Sequence, residues 1–357
     1  MSNKKAGYIS IESILVVGIM MVLCVSITVK NKDGSQKLVN TSLSAMDELM
    51  DSYNGDSSGG SSSGGSSSGG GSSGGNFSDI PNSPEALPLS RHSMATVKID
   101  NKIYAIGGIA NDNNTARREL TVLDTTTGKW TVLKPMPTAL YSISATVSQD
   151  KKVIHVHGYS GVMSYTSSYT ISSNTWMTPT SLWDKYADST LFMLNNKATL
   201  LGGIITDNVT EESHTNMSLI SPENAGVLGT GIEASLADVM VVGDDEIYAI
   251  GGKLTTSYQL YKYTPSIDKW VKVANAPTRN VHKGYKATYS DGYIYLLGLN
   301  TFYAYDIYLG TWRTLATPPI SNTYMGISIV GDYLYTISGT SGADTHVYCI
   351  SSNTWVY

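Results

Sequence analysis

A hydrophobic motif that ends in small residues recurs six times in the C-terminal part of the chain. The first glycine of IYAIGG aligns with positions 107, 157, 202, 251, 298 and 338, of which 157 is histidine and 338 is serine, so one repeat is 40 to 50 residues long. A period of this length indicates that each repeat is one supersecondary unit, which must pack on its neighbours to bury its apolar surface. The motifs are IYAIGG (103–108), VIHVHG (153–158), TLLGG (199–203), IYAIGG (247–252), IYLLGL (294–299) and LYTISG (334–339).

Each repeat divides into four short segments rich in β-branched and aromatic residues, which are separated by turn residues. In the first repeat these segments are SRHSMATVKID, NKIYAIGG, RELTVLDTTTG and KWTVLKP. This pattern predicts four strands per repeat. In the second segment, Ile103 and Ala105 form one apolar face and Tyr104 and Ile106 form the other. Such a strand is expected to be buried on both faces, as in a sheet that stands between two neighbouring sheets.

A second marker, a turn followed by tryptophan, comes after five of the six motifs: Trp130, Trp176, Trp270, Trp312 and Trp355. The two markers together resemble the kelch repeat. The resemblance implies an all-β fold, a six-bladed kelch β-propeller over residues 76–357, with the paired glycines packed near the axis and the tryptophans between blades. Because both ends of the repeat array lie at blade boundaries, we expect blade six to pack on blade one without a swapped strand. An array of β-sandwiches is the alternative.

The N-terminal part has a different character. Residues 7–29 form an apolar run of 23 residues with one charge, Glu12, which is long enough to cross a bilayer as a helix. A secretory signal peptide would place a cleavage site of the A-x-A kind after the apolar core, and none follows Val29. A carboxylate at membrane depth is costly and is usually functional. The alternative for Glu12 is a side chain that reaches back to the membrane surface.

The sequence from Lys4 through Gly7, Tyr8 and Glu12 resembles the N-terminus of a type IV prepilin. The resemblance implies that residues 1–7 are a leader removed by prepilin peptidase after Gly7, and that Tyr8 becomes the N-methylated first residue. Glu12 would then pair with a neighbouring subunit during filament assembly. The implied partners are other pilin subunits, prepilin peptidase and, before assembly, the bacterial inner membrane.

An apolar stripe with helical spacing follows the membrane segment, at Val39, Leu43, Met46, Met50 and Tyr53. It predicts a pilin-like helix over residues 8–54, of which 8–29 would lie in the membrane or the filament core. A juxtamembrane helix resting on lipid is the alternative for the stripe. Residues 55–75 are almost only serine and glycine and predict a flexible linker.

Composition and motifs exclude several classes of function. The chain has 24 basic and 29 acidic residues, and this mildly acidic balance argues against nucleic-acid binding. Its two cysteines, Cys24 and Cys349, are too differently placed to form a disulfide. No catalytic or cofactor motif was found, and we expect no cofactor and no metal site. His155 and His157 share a face of one strand, but two ligands do not make a metal site, and a structural role is favoured.

The best candidate site is the set of residues that enter the first strand of each blade. In kelch domains these residues lie on one face around the axis. Arg91 and Arg279 match the kelch arginine that follows proline, and the mixture of aromatic and polar side chains suits glycans. The alternative is that this ring only borders the domain, and the loops 111–118 and 206–216 are a second candidate surface. The predicted ligand-binding residues are Arg91, His92, Tyr141, Lys185, Tyr186, Glu233, Arg279, His282 and Tyr324.

These features lead us to expect a minor type IV pilin-like subunit that presents a kelch propeller as an adhesin, outside the cell, to a surface glycan or protein. Two alternatives stay open. Some bacterial kelch propellers are sialic acid mutarotases, and Glu233 with Arg279 could supply the acid and base. Kelch copper oxidases are less compatible, because Cys349 falls within a predicted strand. The other alternative is a membrane-anchored scaffold that is never processed.

Overall fold

A computed structural model describes residues 81–112, 115–182, 186–187, 189–194, 197–201, 204–206, 211–213, 217–219, 227–228, 239–242, 247–250, 258–264, 269–281 and 283–357. The predicted leader, pilin-like helix and Gly/Ser linker lie outside these residues. Within the described ranges, no helix is both long enough and apolar enough to span a bilayer.

The described residues form 30 β-strands. In chain order they are β1 (Arg91–His92), β2 (Ala95–Ile99), β3 (Lys102–Ile106), β4 (Ile109–Ala110), β5 (Leu120–Asp124), β6 (Lys129–Val132), β7 (Tyr141–Val147), β8 (Val153–Tyr159), β9 (Ser164–Thr170), β10 (Thr175–Trp176), β11 (Thr180–Leu182), β12 (Tyr186–Ala187), β13 (Thr190–Leu194), β14 (Lys197–Leu201), β15 (Ile204–Thr206), β16 (Glu211–Ser213), β17 (Met217–Leu219), β18 (Val227–Leu228), β19 (Val239–Val242), β20 (Ile247–Ile250), β21 (Gln259–Thr264), β22 (Lys269–Asn275), β23 (Lys286–Ser290), β24 (Tyr293–Gly298), β25 (Thr301–Asp306), β26 (Thr311–Thr314), β27 (Gly326–Val330), β28 (Tyr333–Ile337), β29 (Thr345–Cys349) and β30 (Thr354–Trp355).

The larger antiparallel sheets of the described part follow the sequence repeats. Sheet 1 has the strand order β2-β3-β5-β6, and sheet 2 has β7-β8-β9-β10 with β11 also paired to β9. Sheets 3, 4, 5 and 6 have the orders β13-β14-β17-β18, β19-β20-β21-β22, β23-β24-β25-β26 and β27-β28-β29-β30. Short pairings, β1 with β4 and β12-β15-β16, lie beside sheets 1 and 3.

The first strands of the sheets surround a common channel. Residues of β2, β7, β13, β23 and β27 line one cavity of about 380 Å³. Sheets whose innermost strands share a central channel form a β-propeller, so the predicted all-β propeller fold is confirmed.

The core lies between neighbouring sheets. On β3, Tyr104 and Ile106 join a cluster with residues of sheet 2, whereas Ile103 and Ala105 join a cluster with residues of sheet 6. The expectation that this strand is buried on both faces is therefore confirmed. Tyr104 and Tyr248, expected in the core, are 4% and 2% exposed. Burial raises the pKa of Tyr169, Tyr295, Tyr335 and Tyr348 to about 12, because the phenolate would lose its hydration.

In sheets 1, 2 and 6 the tryptophan fastens the sheet to a segment that precedes it in the chain. The Trp176 indole donates to the carbonyl of Lys134 (2.8 Å), while the Lys134 amide donates to the Asn174 side chain (3.0 Å). The same clamp recurs in sheet 6, where Trp355 donates to the Ala316 carbonyl and the Ala316 amide donates to Asn353. A tyrosine on the neighbouring strand packs on the tryptophan, with ring centroids 5.1 Å apart in sheet 2 and 5.3 Å apart in sheet 6.

The N-terminal segment closes the seam between sheets 6 and 1. Glu85 takes the place that Lys134 has in sheet 2: its carbonyl accepts from the Trp130 indole (2.9 Å), and its amide donates to Gly128 (2.8 Å). Leu87 is 3% exposed, and its amide donates to the carbonyl of Ala343. The outermost strand of sheet 6 is β30, from the C-terminus. In the described part of the chain, the four strands of sheet 6 therefore include no strand from the N-terminal segment.

This segment also crosses the propeller from one edge to the other. The Asn82 side chain donates to the carbonyl of Thr126, in the turn between β5 and β6, whereas Arg91 lies in β1 at the opposite edge. The described chain therefore starts at the edge that carries the β5–β6 turn.

The clamp asparagine gives a prediction about stability. Asn353 has φ +54°, and its side chain accepts from the Tyr348 hydroxyl and the Ala316 amide. Gly128 and Gly310 take the corresponding positive φ in sheets 1 and 5. We expect Asn353→Ala to lower the free energy of unfolding by about 1–2 kcal/mol more than Asn353→Gly, because alanine adds the left-handed backbone penalty to the same lost hydrogen bonds. Urea unfolding measures both, and equal losses would contradict the assignment.

Candidate functional site

One edge of the propeller carries most of the predicted ligand-binding residues. It is the edge where the first strand of each sheet begins, and we call it the entry face. It carries β1, the Tyr141 end of β7, residues 276–285 and residues 320–325. In sheets 1, 2, 5 and 6, the described residues that join the second strand to the third also reach this edge.

Arg91 lies beneath the entry face and not on it. The side chain is 0% exposed. Its Nε donates to Gly107 O (3.0 Å), its Nη1 to Pro88 O and Leu89 O (3.0 and 3.1 Å), and its Nη2 to Ala105 O and Thr121 Oγ1 (3.2 and 2.9 Å). A guanidinium has five N–H donors, and all five are used within the fold.

Among the residues that the structure describes, no carboxylate forms an ion pair with this cation. Burial lowers the pKa of Arg91 to about 10, because the charged form loses its hydration, and the more distant Glu119 opposes the shift. The geometry favours a structural role for Arg91, which ties residues 88–89 to the end of β3. The prediction that it binds a ligand is corrected on this ground.

His92 and Tyr324 meet where sheets 1 and 6 adjoin. The His92 side chain is only 8% exposed, and its Nδ1 lies 3.0 Å from Ser93 Oγ. Its ring centroid is 6.2 Å from that of Tyr324, which is 40% exposed. Tyr324 is therefore the exposed member of the pair and can offer an aromatic surface to a ligand.

Two further aromatic groups lie on the entry face. The Tyr141 and Tyr159 rings meet edge to face, with centroids 5.5 Å apart. The guanidinium of Arg279 lies over the Tyr258 ring, 4.7 Å from its centroid. Such a contact holds a cation over an aromatic face. The sequence prediction missed Tyr159 and Tyr258, although Tyr159 directly follows a repeat motif, and an aromatic residue in that position was the available signal.

The remaining predicted residues are described only in part. Tyr186 lies in β12 and pairs with Ile205 of β15. This pairing beside sheet 3 corresponds to the pairing of β1 with β4 beside sheet 1. The two segments thus have equivalent places, as the repeat alignment predicted. Lys185, Glu233 and His282, and the side chain of Tyr186, are outside the described part of the chain.

The central channel opens between the first strands. Its described lining includes the hydroxyl-bearing residues Thr96, Ser144 and Thr288, together with Lys98 and Lys286. The Thr96 hydroxyl donates to Ile327 O (2.8 Å) and accepts from Ile327 N (3.1 Å), and Ser144 Oγ accepts from Leu191 N (2.8 Å). Several channel hydroxyls therefore join adjoining sheets.

The histidine pair lies in β8 and the cysteine in β29. His155 Nδ1 lies 2.9 Å from Ser168 Oγ, and burial lowers the pKa of His155. His157 is 0% exposed. Cys349 donates to Asp332 Oδ2 (3.3 Å). Among the residues that the structure describes, no cluster of three or more His, Cys, Asp or Glu side chains could hold a metal ion.

Comparisons with known proteins agree with the architecture. Residues 90–137 match the Kelch motif family model. No curated protein sequence matches the chain significantly. A solved structure titled "Structure of YjhT" is 14% identical, with a TM-score of 0.62, and the match covers 76% of this chain and 99% of that one. At this identity the likeness shows the fold alone.

The chain carries a kelch motif in a β-propeller fold. The resemblance that the sequence repeats suggested is confirmed to that extent. Kelch repeats have an arginine after proline. In this chain Arg91 is that residue, and its guanidinium ties residues 88–89 to the end of β3.

The contrast between the two arginines can be tested. We expect Arg91→Lys to lower the free energy of unfolding by at least about 2 kcal/mol, because an ammonium group has three donors and leaves buried acceptors unpaired. The control is Arg279→Lys on the exposed entry face. We expect this substitution to change the free energy of unfolding by less than about 0.5 kcal/mol. Urea titration of both variants measures this. Similar values for the two would contradict a structural role for Arg91.

Proposed function

We propose that the propeller is a recognition head whose entry face binds a glycan, or a protein, on a cell surface. The observation that carries this proposal is the set of aromatic side chains on one edge: Tyr324, the Tyr141–Tyr159 pair, and Tyr258 beneath Arg279. Aromatic faces stack on sugar rings, and neighbouring polar groups orient the sugar hydroxyls.

We further propose that the six sheets are the six blades of one closed ring. The described contacts run in the order sheet 4, 5, 6, 1, 2, 3, because β19 packs on β23, β23 on β27, β27 on β2, β2 on β7 and β7 on β13. A ring of this kind is rigid, so it would keep the aromatic groups of different blades at fixed distances.

The N-terminal 75 residues would deliver this head to the outside of the cell. In this proposal the chain is a minor type IV pilin-like subunit, cut after Gly7, methylated at Tyr8 and assembled through Glu12. A head of 282 residues (357 − 75) would crowd every position of a filament, which favours a place at the pilus tip. The prepilin-like residues and the Ser/Gly-rich stretch are its support.

The enzymatic alternative also stays a prediction. It requires Glu233 and Arg279 as acid and base, and of these two the structure describes only Arg279, whose guanidinium is stacked on Tyr258. A stacked cation on an exposed face favours binding over proton transfer, so recognition is the preferred function.

The recognition proposal predicts binding by the purified propeller, residues 76–357. We expect it to bind cells in flow cytometry and to retain glycans on a printed array, because the entry face offers several aromatic surfaces. A double variant, Tyr141→Ser with Tyr324→Ser, should lose most of this binding. The control is Tyr308→Ser, which removes an 80% exposed tyrosine from the opposite edge. If the unaltered propeller binds neither cells nor glycans, the proposal is wrong.

The assembly proposal predicts the state of the N-terminus. Mass spectrometry of the native protein should find a chain that begins with N-methylated Tyr8. Glu12→Gln should be cut in the same way but should be absent from sheared filaments, because the carboxylate pairs with a neighbouring subunit. An uncut chain confined to the inner membrane would instead support the scaffold alternative.

A further inference from the structure

Tyr324 has a backbone conformation that a bulky residue rarely adopts. Its φ is +54°, in the left-handed region, where tyrosine is uncommon and strained. Ser93 and Gly284 have the corresponding place in sheets 1 and 5, two residues before the first paired residue of the innermost strand, with φ of +53° and +82°. The fold therefore accepts a small residue here and does not itself require an aromatic one.

The neighbouring sheets impose this conformation from both sides. The Tyr324 amide donates to Gly284 O (2.8 Å), and the Tyr324 carbonyl accepts from Ser93 N (2.8 Å). The ring lies against Gly284, where an added Cβ would come within 2.6 Å of the ring carbons. Strain that the surroundings hold in place is characteristic of binding and catalytic residues. Glycine at position 284 leaves the room that the ring needs.

Hydroxyl groups lie on Thr323, directly before Tyr324, and on the loop after β28, which bonds to Thr323. The Thr323 and Thr340 hydroxyls are 3.0 Å apart, and Thr340 is exposed. Exposed Ser341 donates its hydroxyl to Ser321 O (2.6 Å), and its amide donates to Asn322 Oδ1 (3.2 Å). The loop after β28 thus presents short polar side chains and bonds to the residues directly before Tyr324.

We propose that Tyr324 is the platform on which a pyranose ring stacks, with the hydroxyls of Thr323, Thr340 and Ser341 orienting the sugar. The ligand class is a pyranoside with a continuous face of C–H groups, as in β-galactopyranosides, because such a face matches a flat aromatic ring. This inference rests on the proposed recognition function. It assigns the principal subsite to the entry face of sheet 6, where Tyr324 lies between Gly284 of sheet 5 and Ser93 of sheet 1.

The first test compares three variants of the propeller. Every described strand and core cluster belongs to the compact unit 74–357, so this unit is the protein to use. Binding of methyl β-D-galactopyranoside and methyl N-acetyl-β-D-glucosaminide is followed by saturation-transfer NMR and titration. Tyr324→Ser, which copies Ser93, should weaken binding about tenfold or more. Tyr324→Phe should keep the affinity for the glycosides within about threefold of the unaltered propeller, because the ring remains. Tyr308→Ser should leave this affinity unchanged.

The second test uses the unaltered unit, so it does not depend on how a variant folds. Nitration by tetranitromethane should modify both Tyr324 and Tyr308, and saturating glycoside should protect Tyr324 alone. Full affinity in Tyr324→Ser, or no protection of Tyr324, overturns the assignment. Binding to cells without binding to either glycoside would overturn it too, while the recognition proposal would survive. Failure to bind cells and glycans would contradict both.

Discussion

In the described part of the chain, sheets 1, 5 and 6 each have two apolar faces, and a sheet cannot cover its own faces. In β3 the side chains alternate between a cluster shared with sheet 2 and a cluster shared with sheet 6. A fully buried leucine or isoleucine contributes about 1.5–3 kcal/mol relative to an exposed one, so an uncovered face would be costly. An apolar face must therefore be covered by another sheet, and the meeting of sheets 6 and 1 covers one face of each.

That meeting uses groups from both ends of the described chain. The amide of Arg91 donates to Ser338 Oγ, and Ser338 Oγ in turn donates to Arg91 O (2.7 Å). Thr96 bonds to both backbone groups of Ile327. The Arg91 guanidinium then holds the carbonyls of Pro88 and Leu89, the last residues of the closing segment. Packing supplies the energy of closure, and these hydrogen bonds fix its register.

The sequence predicted the propeller fold because each sequence repeat corresponds to one sheet that packs on its neighbours. The alternation in NKIYAIGG predicted a strand buried on both faces, and the Trp markers predicted contacts between sheets. The sequence could not show that Glu85 and Lys134 have equivalent positions, each accepting from the tryptophan of a sheet. The two segments occupy equivalent places in the propeller but have no sequence motif in common. Nor could the sequence show where the arginine after proline points. Arginine at this position is a residue type that often binds ligands. Only the five hydrogen bonds of its guanidinium show that Arg91 has a structural role.

The unusual φ of Tyr324 is also invisible in the sequence, since it depends on Gly284 and Ser93, which are 40 and 231 residues away (324 − 284 and 324 − 93). The path of the first described residues also bears on the candidate site. Residues 82–83 lie at the β5–β6 turn, and the chain reaches the entry face only at Arg91. The described chain therefore begins at the edge opposite Tyr324, and its first residues leave that side chain 40% exposed.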